Sequence, residues 1–301
     1  MQKTLISIIG STGIGKTKLA IEMAKHFGTE IISCDSRQFF KEMKIGTATP
    51  TDEELAQAKH HFIGHLSVQD YYSIGQYEED ALEKIQEIFE EKDFAVLVGG
   101  SMMYEKAVVE GLNDLPEANA ENQEKLQKIL DEEGLEKLQE ILKNLDEEYY
   151  NVVHKENPRR LLRAIDVIWQ TGRKYSEIIA EPKHKRDFKV VRIGITAPRE
   201  IMYERINLRV DKMLENGLID EVKSLTEYQK LVPLQTVGYT EIFKYLEGTW
   251  DLDFAIEEIK KNSRRYAKRQ ETWNRKVENV TWLPYDYSEE QLHEILSKIE
   301  K

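Results

Sequence analysis

A glycine-rich loop near the start of the sequence has the residue types and spacing of a phosphate-binding site. Its residues are Gly10-Ser11-Thr12-Gly13-Ile14-Gly15-Lys16-Thr17, which match the pattern G-x-x-x-x-G-K-[ST]. Glycines let the backbone bend so that successive N–H groups point into one concavity, where they can bind phosphate. Lys16 would neutralise phosphate oxygens, and the Thr17 hydroxyl would ligate Mg²⁺. The loop does not decide which phosphate compound binds, or whether a phosphoryl group is transferred.

Asp35 is the strongest single candidate for acid–base chemistry. It directly follows a run at 30–34 that predicts a buried strand. Because open α/β sheets bind ligands at the carboxyl ends of their strands, Asp35 should lie at the same sheet edge as the phosphate loop. A carboxylate there can accept a proton, hold a metal or bind a hydroxyl. The alternative is that Asp35, with Ser36, only caps a following helix, and the spacing alone does not separate the two.

A strand predicted at 94–98 lacks the carboxylate that NTP-hydrolysing enzymes commonly carry at this place. The strand continues into Gly99-Gly100-Ser101 instead of an aspartate. This argues against NTP hydrolysis and favours an enzyme whose loop holds a diphosphate leaving group. Taken alone, the glycine pair predicts only an ordinary turn from strand to helix.

Two basic regions interrupt an acidic chain of 301 residues with a formal net charge of -12. The first is Arg159, Arg160 and Arg163, in a helix predicted to start after Pro158. The second combines cations with aromatic residues: Lys260, Lys261, Arg264, Arg265, Tyr266, Lys268, Arg269 and Trp273. Basic faces with interleaved rings suit RNA, where cations meet phosphates and rings stack on unpaired bases. The ordinary alternative for such charge runs is a solvated helix face.

Arg205 and Arg209 are one turn apart in a helix predicted over 198–217. Either guanidinium could complete the phosphate site from outside the loop, because its planar fork suits phosphate. A surface ion pair is the alternative.

The histidines His60, His61 and His65 follow a polar segment at 46–50 that we expect to be conformationally free. No Cys or acidic partner has the spacing of a metal site, so we expect ordinary surface or loop histidines.

Alternating strands and helices must position these residues. Short apolar runs predict strands at 4–9, 30–34, 94–98, 190–196 and 280–283. Apolar residues at helical spacing predict helices at 18–27 and 74–92. This alternation predicts an α/β fold with a P-loop NTPase-like parallel sheet covered by helices, in which the last strand could close the sheet.

A helical stretch separates the third and fourth predicted strands. Residues 112–150 carry twelve Asp and Glu against four Lys and Arg, whereas residues 152–189 carry ten Lys and Arg against five Asp and Glu. A helical stretch between two strands of one sheet predicts an insertion. We therefore expect a P-loop α/β catalytic core at 1–112 and 190–301, and a helical insertion domain at 113–189.

Composition narrows the remaining function classes. The only cysteine, Cys34, excludes an intramolecular disulfide framework and a cysteine-rich zinc site. We see no apolar run of transmembrane length and no N-terminal signal, so we expect a cytoplasmic protein without a membrane partner. Nothing in the sequence predicts an obligate protein partner.

Taken together, the segments resemble the bacterial tRNA dimethylallyltransferase family, also called tRNA isopentenyltransferases, over nearly the whole chain. The resemblance rests on the order and spacing of the phosphate loop, ISCDSRQ at 32–38, IGTATP at 45–50, LVGGS at 97–101 with Tyr104, NPRRLLRA at 157–164, ERINLRVDKM at 204–213, VGYTE at 237–241 and RYAKRQETW at 265–273.

The resemblance implies a specific reaction. A dimethylallyl group would pass from dimethylallyl diphosphate to the exocyclic amine of the adenosine just 3′ of the anticodon, in tRNAs that read codons beginning with U. The loop from Gly10 to Thr17 would hold the leaving diphosphate together with Arg209 and Mg²⁺, without phosphoryl transfer. By family position Asp35 would be the general base, and Ser101 would assist near the reacting amine.

The resemblance also implies contacts with the anticodon stem-loop of tRNA, through the insertion domain and through the core. The residues concerned are Asp35, Ser36, Arg37, Gln38, Ser101, Arg159, Arg160, Arg163, Arg265 and Arg269. Two of them depart from the family pattern. Ser101 stands where Thr is common, which keeps the hydroxyl, and Arg159 stands where Gln is usual, which adds positive charge.

Three other functions stay open at this point. An enzyme that prenylates free adenine nucleotides would need no large RNA-binding insertion. A small-molecule kinase would use the same loop with ATP. A non-enzymatic RNA-binding protein would leave the loop and Asp35 without a purpose. The insertion and the basic helix at 260–269 favour tRNA as the acceptor.

Overall fold

The computed structural model describes residues 2–300, which fall into two compact units. The first unit contains the residues up to Val109 and those from Arg186 onward. The second unit is Glu110–Lys185, a helical stretch that interrupts the first along the chain.

A parallel sheet forms the centre of the first unit. Within residues 2–300 its strands are β1 Thr4–Gly10, β2 Ile31–Ser33, β3 His60–His61, β4 Phe94–Val98, β5 Lys189–Thr196 and β6 Val280–Pro284. Their order across the sheet is β3-β2-β4-β1-β5-β6, and neighbouring strands run parallel. The predicted α/β class is confirmed. β6 pairs with β5 at one edge, so the predicted last strand completes the sheet as expected.

The helices account for most of the remaining described chain. They are α1 Lys16–His26, α2 Asp52–Leu55, α3 Ile74–Glu91, α4 Met102–Glu110, α5 Ala120–Glu133, α6 Leu135–Leu145, α7 Glu147–Val152, α8 Pro158–Thr171, α9 Tyr175–Ala180, α10 Arg199–Glu215, α11 Leu218–Ser224, α12 Tyr239–Leu246, α13 Leu252–Asn274 and α14 Glu289–Ile299. Two short 3₁₀ turns, Thr226–Tyr228 and Val232–Leu234, join α11 to α12. No helix within residues 2–300 is both long and apolar enough to cross a membrane.

Alternating side chains of the strands supply two cores, one on each face of the sheet. Leu5 packs into a cluster with residues of α3, α11 and α12, whereas Ile6 and Ile8 pack into a second cluster with residues of α1 and α14. Successive side chains of a strand point to opposite faces, so a strand covered on both faces is buried along its whole length. Every residue of β1 is accordingly buried, and β1 carries the phosphate loop at its carboxyl end, between β4 and β5.

The second unit has a small core of its own. Leu126 of α5, Leu138 and Leu142 of α6, and Leu161 and Ile165 of α8 are fully buried together. α8 starts where the sequence predicts it, with the Asn157 side chain accepting a hydrogen bond from the backbone of Arg160 and Pro158 in the first turn.

Two local expectations were wrong. His60 and His61 are not in a loop, because they form the edge strand β3 beside β2. The segment at 46–50 is not conformationally free. The backbone N–H groups of Ile45 and Gly46 donate to the Glu221 carboxylate at 2.7 and 2.9 Å, and the Gln38 amide donates to two carbonyls of the segment.

Candidate active site

The phosphate loop joins the carboxyl end of β1 to α1. Gly15 has φ of +109°, a left-handed conformation that favours glycine, and α1 begins directly after it at Lys16. The Lys16 ammonium donates to the Gly10 and Ser11 carbonyls at 3.0 and 2.8 Å, so it lies against its own loop. Burial lowers the pKa of Lys16 to about 8, although the nearby Asp35 charge opposes this. Lys16 therefore carries a positive charge at neutral pH, close to the backbone N–H groups of the loop.

Asp35 follows β2 at the same edge of the sheet. Its carboxylate accepts a hydrogen bond from the backbone N–H of Arg37 at 3.2 Å. No helix begins here, since the next helix is α2, whose cap is Thr51. The alternative in which Asp35 caps a helix was therefore wrong.

The glycines after β4 bring the ends of β2 and β4 unusually close together. A Cβ atom on Gly99 would lie 2.4 Å from the carbonyl carbon of Cys34, and one on Gly100 would lie 2.9 Å from a carboxylate oxygen of Asp35. Real Cβ atoms do not approach backbone so closely, so Gly99 requires glycine, whereas a side chain at Gly100 would displace the Asp35 carboxylate. The pair is more than an ordinary turn, because it leaves room for the Asp35 carboxylate.

Ser101 begins the connection into α4 and lies beside Ser36. Its hydroxyl oxygen accepts from the Ser36 backbone N–H at 3.0 Å, and the two hydroxyl oxygens are 2.8 Å apart. These two contacts hold the Ser101 hydroxyl beside Ser36, the residue that follows Asp35.

α10 brings both predicted arginines to the site, where they contact different segments. Arg209 is partly buried and donates to the Thr47 carbonyl at 3.0 Å. Burial lowers the pKa of Arg209 and the Asp35 charge raises it, and the guanidinium remains a cation because its ordinary pKa is so high. Arg205 is exposed and donates to the Gly13 carbonyl at 2.9 Å, so it contacts the loop itself.

α13 supplies contacts that the sequence reasoning missed. The buried Gln270 accepts from the backbone N–H of Thr12 at 2.8 Å and donates to the Gly100 carbonyl at 2.8 Å. Tyr266, one turn earlier, donates to the same carbonyl at 2.8 Å. Gln270 thus ties the phosphate loop to the turn after β4. The sequence did contain a signal for these contacts. Tyr266 and Gln270 are uncharged and four residues apart inside a basic run, and such a pair marks the face of the helix that points to the protein interior.

Two adjoining cavities meet at these residues. The first, of about 110 Å³, is lined by the loop from Thr12 to Thr17, by Gly99 and Gly100, and by His60. The second, of about 250 Å³, has a largely apolar wall made of Ile206, Val210, Met213, Val237 and Ile259. Asp35, Arg209, Thr12 and Tyr266 line both. The arrangement offers a cationic, phosphate-binding half beside an apolar half, with a carboxylate between them.

Comparison with known proteins assigns the family. A family model described as IPP transferase matches residues 38–277. The chain belongs to the IPP transferase family. A tRNA dimethylallyltransferase of Christiangramia forsetii is 49% identical over 300 residues, covering 99% of each chain. The tRNA dimethylallyltransferase 1 of Bacteroides thetaiotaomicron is 46% identical over 280 residues, covering 93% of this chain and 91% of that protein. The resemblance drawn from the motifs is confirmed.

Solved structures of IPP transferase relatives share the fold. A full-length tRNA isopentenylpyrophosphate transferase from Bacillus halodurans superposes with a TM-score of 0.73 at 36% identity, covering 100% of this chain and 96% of that one. A eukaryotic dimethylallyltransferase acting on tRNA superposes with a TM-score of 0.85 at 27% identity, covering 99% of this chain and 78% of that one. The P-loop-like α/β fold is therefore common to this chain and these relatives.

The predicted tRNA-contacting residues of this IPP transferase family member fall on three surfaces. Near Asp35, the Gln38 amide is engaged with the segment at 46–50, and Arg37 donates to the Val232 carbonyl at 3.3 Å. On α13, an open groove is lined by Arg265, Lys268, Arg269, Thr272, Trp273 and Lys276. Four members of the predicted basic and aromatic run line this groove: Arg265, Lys268, Arg269 and Trp273. The others are engaged elsewhere, since Lys260 pairs with Asp211, Lys261 pairs with Glu258, Arg264 donates to Asn207, and Tyr266 lies at the active site.

The third surface lies in the second unit, at the start of α8. Arg159 and Arg160 are exposed and line a shallow groove with His154. Arg163 differs, because its guanidinium pairs with the fully buried Asp166 at 3.3 Å and donates to the Pro116 carbonyl. Arg163 thus has a structural partner that the other two arginines lack within the described chain.

Proposed function

We propose that this chain transfers a dimethylallyl group from dimethylallyl diphosphate to the exocyclic amine of an adenosine in tRNA, and releases diphosphate. The target adenosine lies just 3′ of the anticodon, in tRNAs that read codons beginning with U. The observation that carries the proposal is the junction of a phosphate-binding cavity and an apolar cavity at Asp35 and Arg209. The relatives named tRNA dimethylallyltransferase support it over nearly the full chain.

The donor binds across the two cavities. Its diphosphate occupies the concavity of the loop from Gly10 to Thr17, where backbone N–H groups, Lys16 and Arg209 supply positive charge. Its short branched chain faces the apolar wall that includes Val210 and Met213. Burial of that chain contributes favourable free energy in proportion to the apolar area removed from water.

Magnesium fits this site as a partner of the diphosphate. Within residues 2–300 no three His, Cys, Asp or Glu side chains gather as metal ligands. Mg²⁺ commonly binds through one or two protein oxygens, substrate phosphates and several waters, which is what the Thr17 hydroxyl and a bound diphosphate would provide. When bound, the ion would stabilise the negative charge that the departing diphosphate acquires.

The transfer needs a proton acceptor beside the attacking amine. The nitrogen forms a bond to the first carbon of the dimethylallyl group, the bond from that carbon to the diphosphate oxygen breaks, and the amine loses a proton. Asp35 takes this proton, since it lies between the two cavities. The Ser101 hydroxyl orients the acceptor adenosine near its reacting amine. No phosphoryl group moves, which agrees with the absence of a carboxylate after β4.

tRNA provides the acceptor in an unpaired loop. The adenosine must leave its stack to reach Asp35, which costs roughly a few kcal/mol and least for a base that is already unpaired. The adenosine is flanked by Ser36, Arg37 and Gln38. The phosphates of the tRNA backbone bind to Arg265 and Arg269 of α13. In the second unit Arg159 and Arg160 bind the anticodon stem-loop, with Arg163 beside them. The reaction takes place in the cytoplasm, where unmodified tRNA and the donor are available.

A labelling experiment tests this function. The purified chain is incubated with radiolabelled dimethylallyl diphosphate, Mg²⁺ and one of three acceptors: an unmodified tRNA transcript, the same transcript with guanosine at the target position, or adenosine monophosphate. We expect label on the adenosine-containing tRNA alone, recovered as the prenylated nucleoside after digestion. Label on the free nucleotide but not on tRNA would contradict the proposal, as would phosphate transfer from ATP to a small molecule without prenyl transfer.

A further inference from the structure

The turn at 45–48 passes the two cavities in a conformation that its own residues do not favour. Ala48 has φ of +45°, in the left-handed region that residues with a Cβ atom rarely adopt. Ala48 lines the phosphate-binding cavity, and Gly46 and Thr47 line the second cavity beside it. Strained backbone persists where the surrounding structure holds it, so contacts from other elements must fix this turn.

Glu221 of α11 fixes two successive peptide groups of the turn. One carboxylate oxygen accepts from the Ile45 N–H at 2.7 Å, and the other accepts from the Gly46 N–H at 2.9 Å. A carboxylate presents two acceptor oxygens, so it can orient two neighbouring N–H groups at once. The Ala48 N–H then donates to the Ile45 carbonyl at 2.9 Å, which closes the turn.

Tyr239 of α12 supports the same carboxylate from inside the core. Its hydroxyl donates at 2.6 Å to the Glu221 oxygen that also accepts from Gly46. Its ring is fully buried and lies so close to Gly46 that a Cβ atom there would be 2.5 Å from it. A side chain at position 46 would therefore displace the ring, and the turn, the carboxylate and the tyrosine depend on one another.

The turn presents a carbonyl to Arg209 of α10. The Thr47 carbonyl accepts from the Arg209 guanidinium at 3.0 Å and from the Gln38 amide at 3.3 Å. Arg209 lines both cavities, and its charge acts on Lys16 of the phosphate loop. Two cations repel each other, and the Thr47 carbonyl dipole counters this repulsion at the place where the guanidinium meets the cavities.

Resting on the proposed function, in which Arg209 binds the diphosphate of the donor, we propose that Glu221 is a positioning residue for the transfer. Glu221 fixes the turn at 45–48, and the turn orients Arg209 towards the diphosphate. Glu221 is not among the residues that line the two cavities, so its effect passes through the turn. An arginine that is oriented before the donor arrives loses less conformational freedom on binding.

Binding of inorganic pyrophosphate to the full chain tests this without prenyl transfer. Glu221→Gln keeps the size of the side chain but replaces one acceptor oxygen by an amide nitrogen, which cannot accept from a backbone N–H. In Mg²⁺, calorimetry should show about tenfold weaker binding, because only a fraction of the molecules then holds Arg209 in place. Asp220→Asn is the matched control, since Asp220 is exposed in the same first turn of α11. It should bind pyrophosphate like the unaltered chain.

A double-mutant cycle separates positioning from a general loss of structure. Arg209→Ala should weaken pyrophosphate binding by about tenfold or more, because a charged partner of the phosphate is removed. Added to Arg209→Ala, Glu221→Gln should cause no further loss, because the residue that it orients is already gone. A further loss of about tenfold in that background would mean that Glu221 acts on the whole cavity, and would overturn the inference. Unchanged binding by Glu221→Gln alone would overturn it as well.

Tyr239→Phe takes the place of Glu221→Gln in the cycle if urea unfolding shows that Glu221→Gln does not fold. It removes the hydroxyl that donates to Glu221 and keeps the buried ring. Pyrophosphate binding should weaken by about twofold to tenfold, the usual range for one hydrogen bond, and only where Arg209 is present. Binding equal to that of the unaltered chain would then contradict the inference.

The two proposals fail in different ways. If the unaltered chain does not bind pyrophosphate at all, the donor site of the proposed function is wrong. If Arg209→Ala binds as tightly as the unaltered chain, Arg209 does not hold the diphosphate, and the inference falls with that assignment. If Arg209→Ala binds weakly and Glu221→Gln binds normally, the inference on Glu221 alone is wrong and the proposed function is unaffected.

Discussion

The Asp35 carboxylate is held by short local contacts rather than by an ion pair. It accepts from the Arg37 backbone N–H and lies against Gly100, where a side chain would exclude it. Lys16 and Arg209 are close enough for their pKa values to respond to its charge. A carboxylate in this position lies beside a cationic cavity, so it can take a proton from an amine that approaches from the apolar side.

We expect Asp35→Asn to lower kcat by about 10²–10⁴-fold, the usual contribution of a general base, because the amide keeps the shape and cannot accept the proton. The affinity for tRNA should stay near that of the unaltered chain. Single-turnover prenyl transfer and tRNA binding are measured together. Asp93→Asn is the matched control, since Asp93 is partly exposed and lies just before β4, at the opposite end of the sheet from Asp35. Turnover of Asp35→Asn close to that of the control would remove Asp35 from the chemistry.

The edge of the sheet depends on one acidic residue just before β2. Glu30 accepts from His61 at 2.6 Å, Lys92 at 3.0 Å and Lys59 at 3.1 Å, so it joins β3 to the end of α3. Burial raises the pKa of Glu30, but the hydrogen bonds from these three side chains outweigh it and bring the pKa down to about 2. Since β3 also carries His60, this cluster positions one wall of the phosphate cavity.

We expect Glu30→Gln to lower the free energy of unfolding by about 1–3 kcal/mol at pH 7, a range reduced for partial solvent screening. The folded pKa lies below the unfolded value of 4.5, so the stabilisation is present above that value and fades as the pH falls towards about 2. Urea unfolding at neutral pH and at about pH 3 should therefore show a difference that shrinks in acid. Glu79→Gln, on the exposed face of α3, serves as control. A difference that does not depend on pH would contradict the role of the charge.

Charge is distributed unevenly over the molecule. The chain has a net charge of -12, yet each unit has a basic groove, at Arg265 and Arg269 in the first and at Arg159 and Arg160 in the second. Local fields of this kind attract an anionic partner even when the whole chain is acidic.

Arg159 and Arg160, changed together to Gln, should weaken tRNA binding. The slope of log affinity against log salt should become less steep by about 1–2, because tRNA binding releases fewer counterions when phosphate contacts are lost. Binding is measured across a salt series, with pyrophosphate affinity as a second readout that should not change. Arg173→Gln is the matched control, an arginine of the same unit whose guanidinium is paired with Glu181. If tRNA binding and its salt slope equal those of the control, the arginines do not contact phosphates.

Structural features formed by one short segment of the chain were predicted correctly from the sequence. The strand, glycine loop and helix around Lys16 were predicted because their chemistry lies within one short segment. α3 was predicted almost to its last residue, since its apolar stripe is visible in the sequence. The two-residue strand β3 was missed because its stability comes from pairing with β2 and from Glu30, neither of which a local pattern reveals.

By itself the sequence determined the family, the α/β class and the candidates for phosphate binding and proton transfer, because these depend on residue types at fixed spacing. The tertiary structure alone decided how distant segments share one site. It brings Gln270 of α13 to the loop at Thr12, and Arg209 of α10 to the segment at 46–50. It also places His60 among the residues that line the phosphate-binding cavity and bonds the adjacent His61 to Glu30. Such contacts join residues far apart in the chain, so only the packing of the helices and the pairing of the strands can define them.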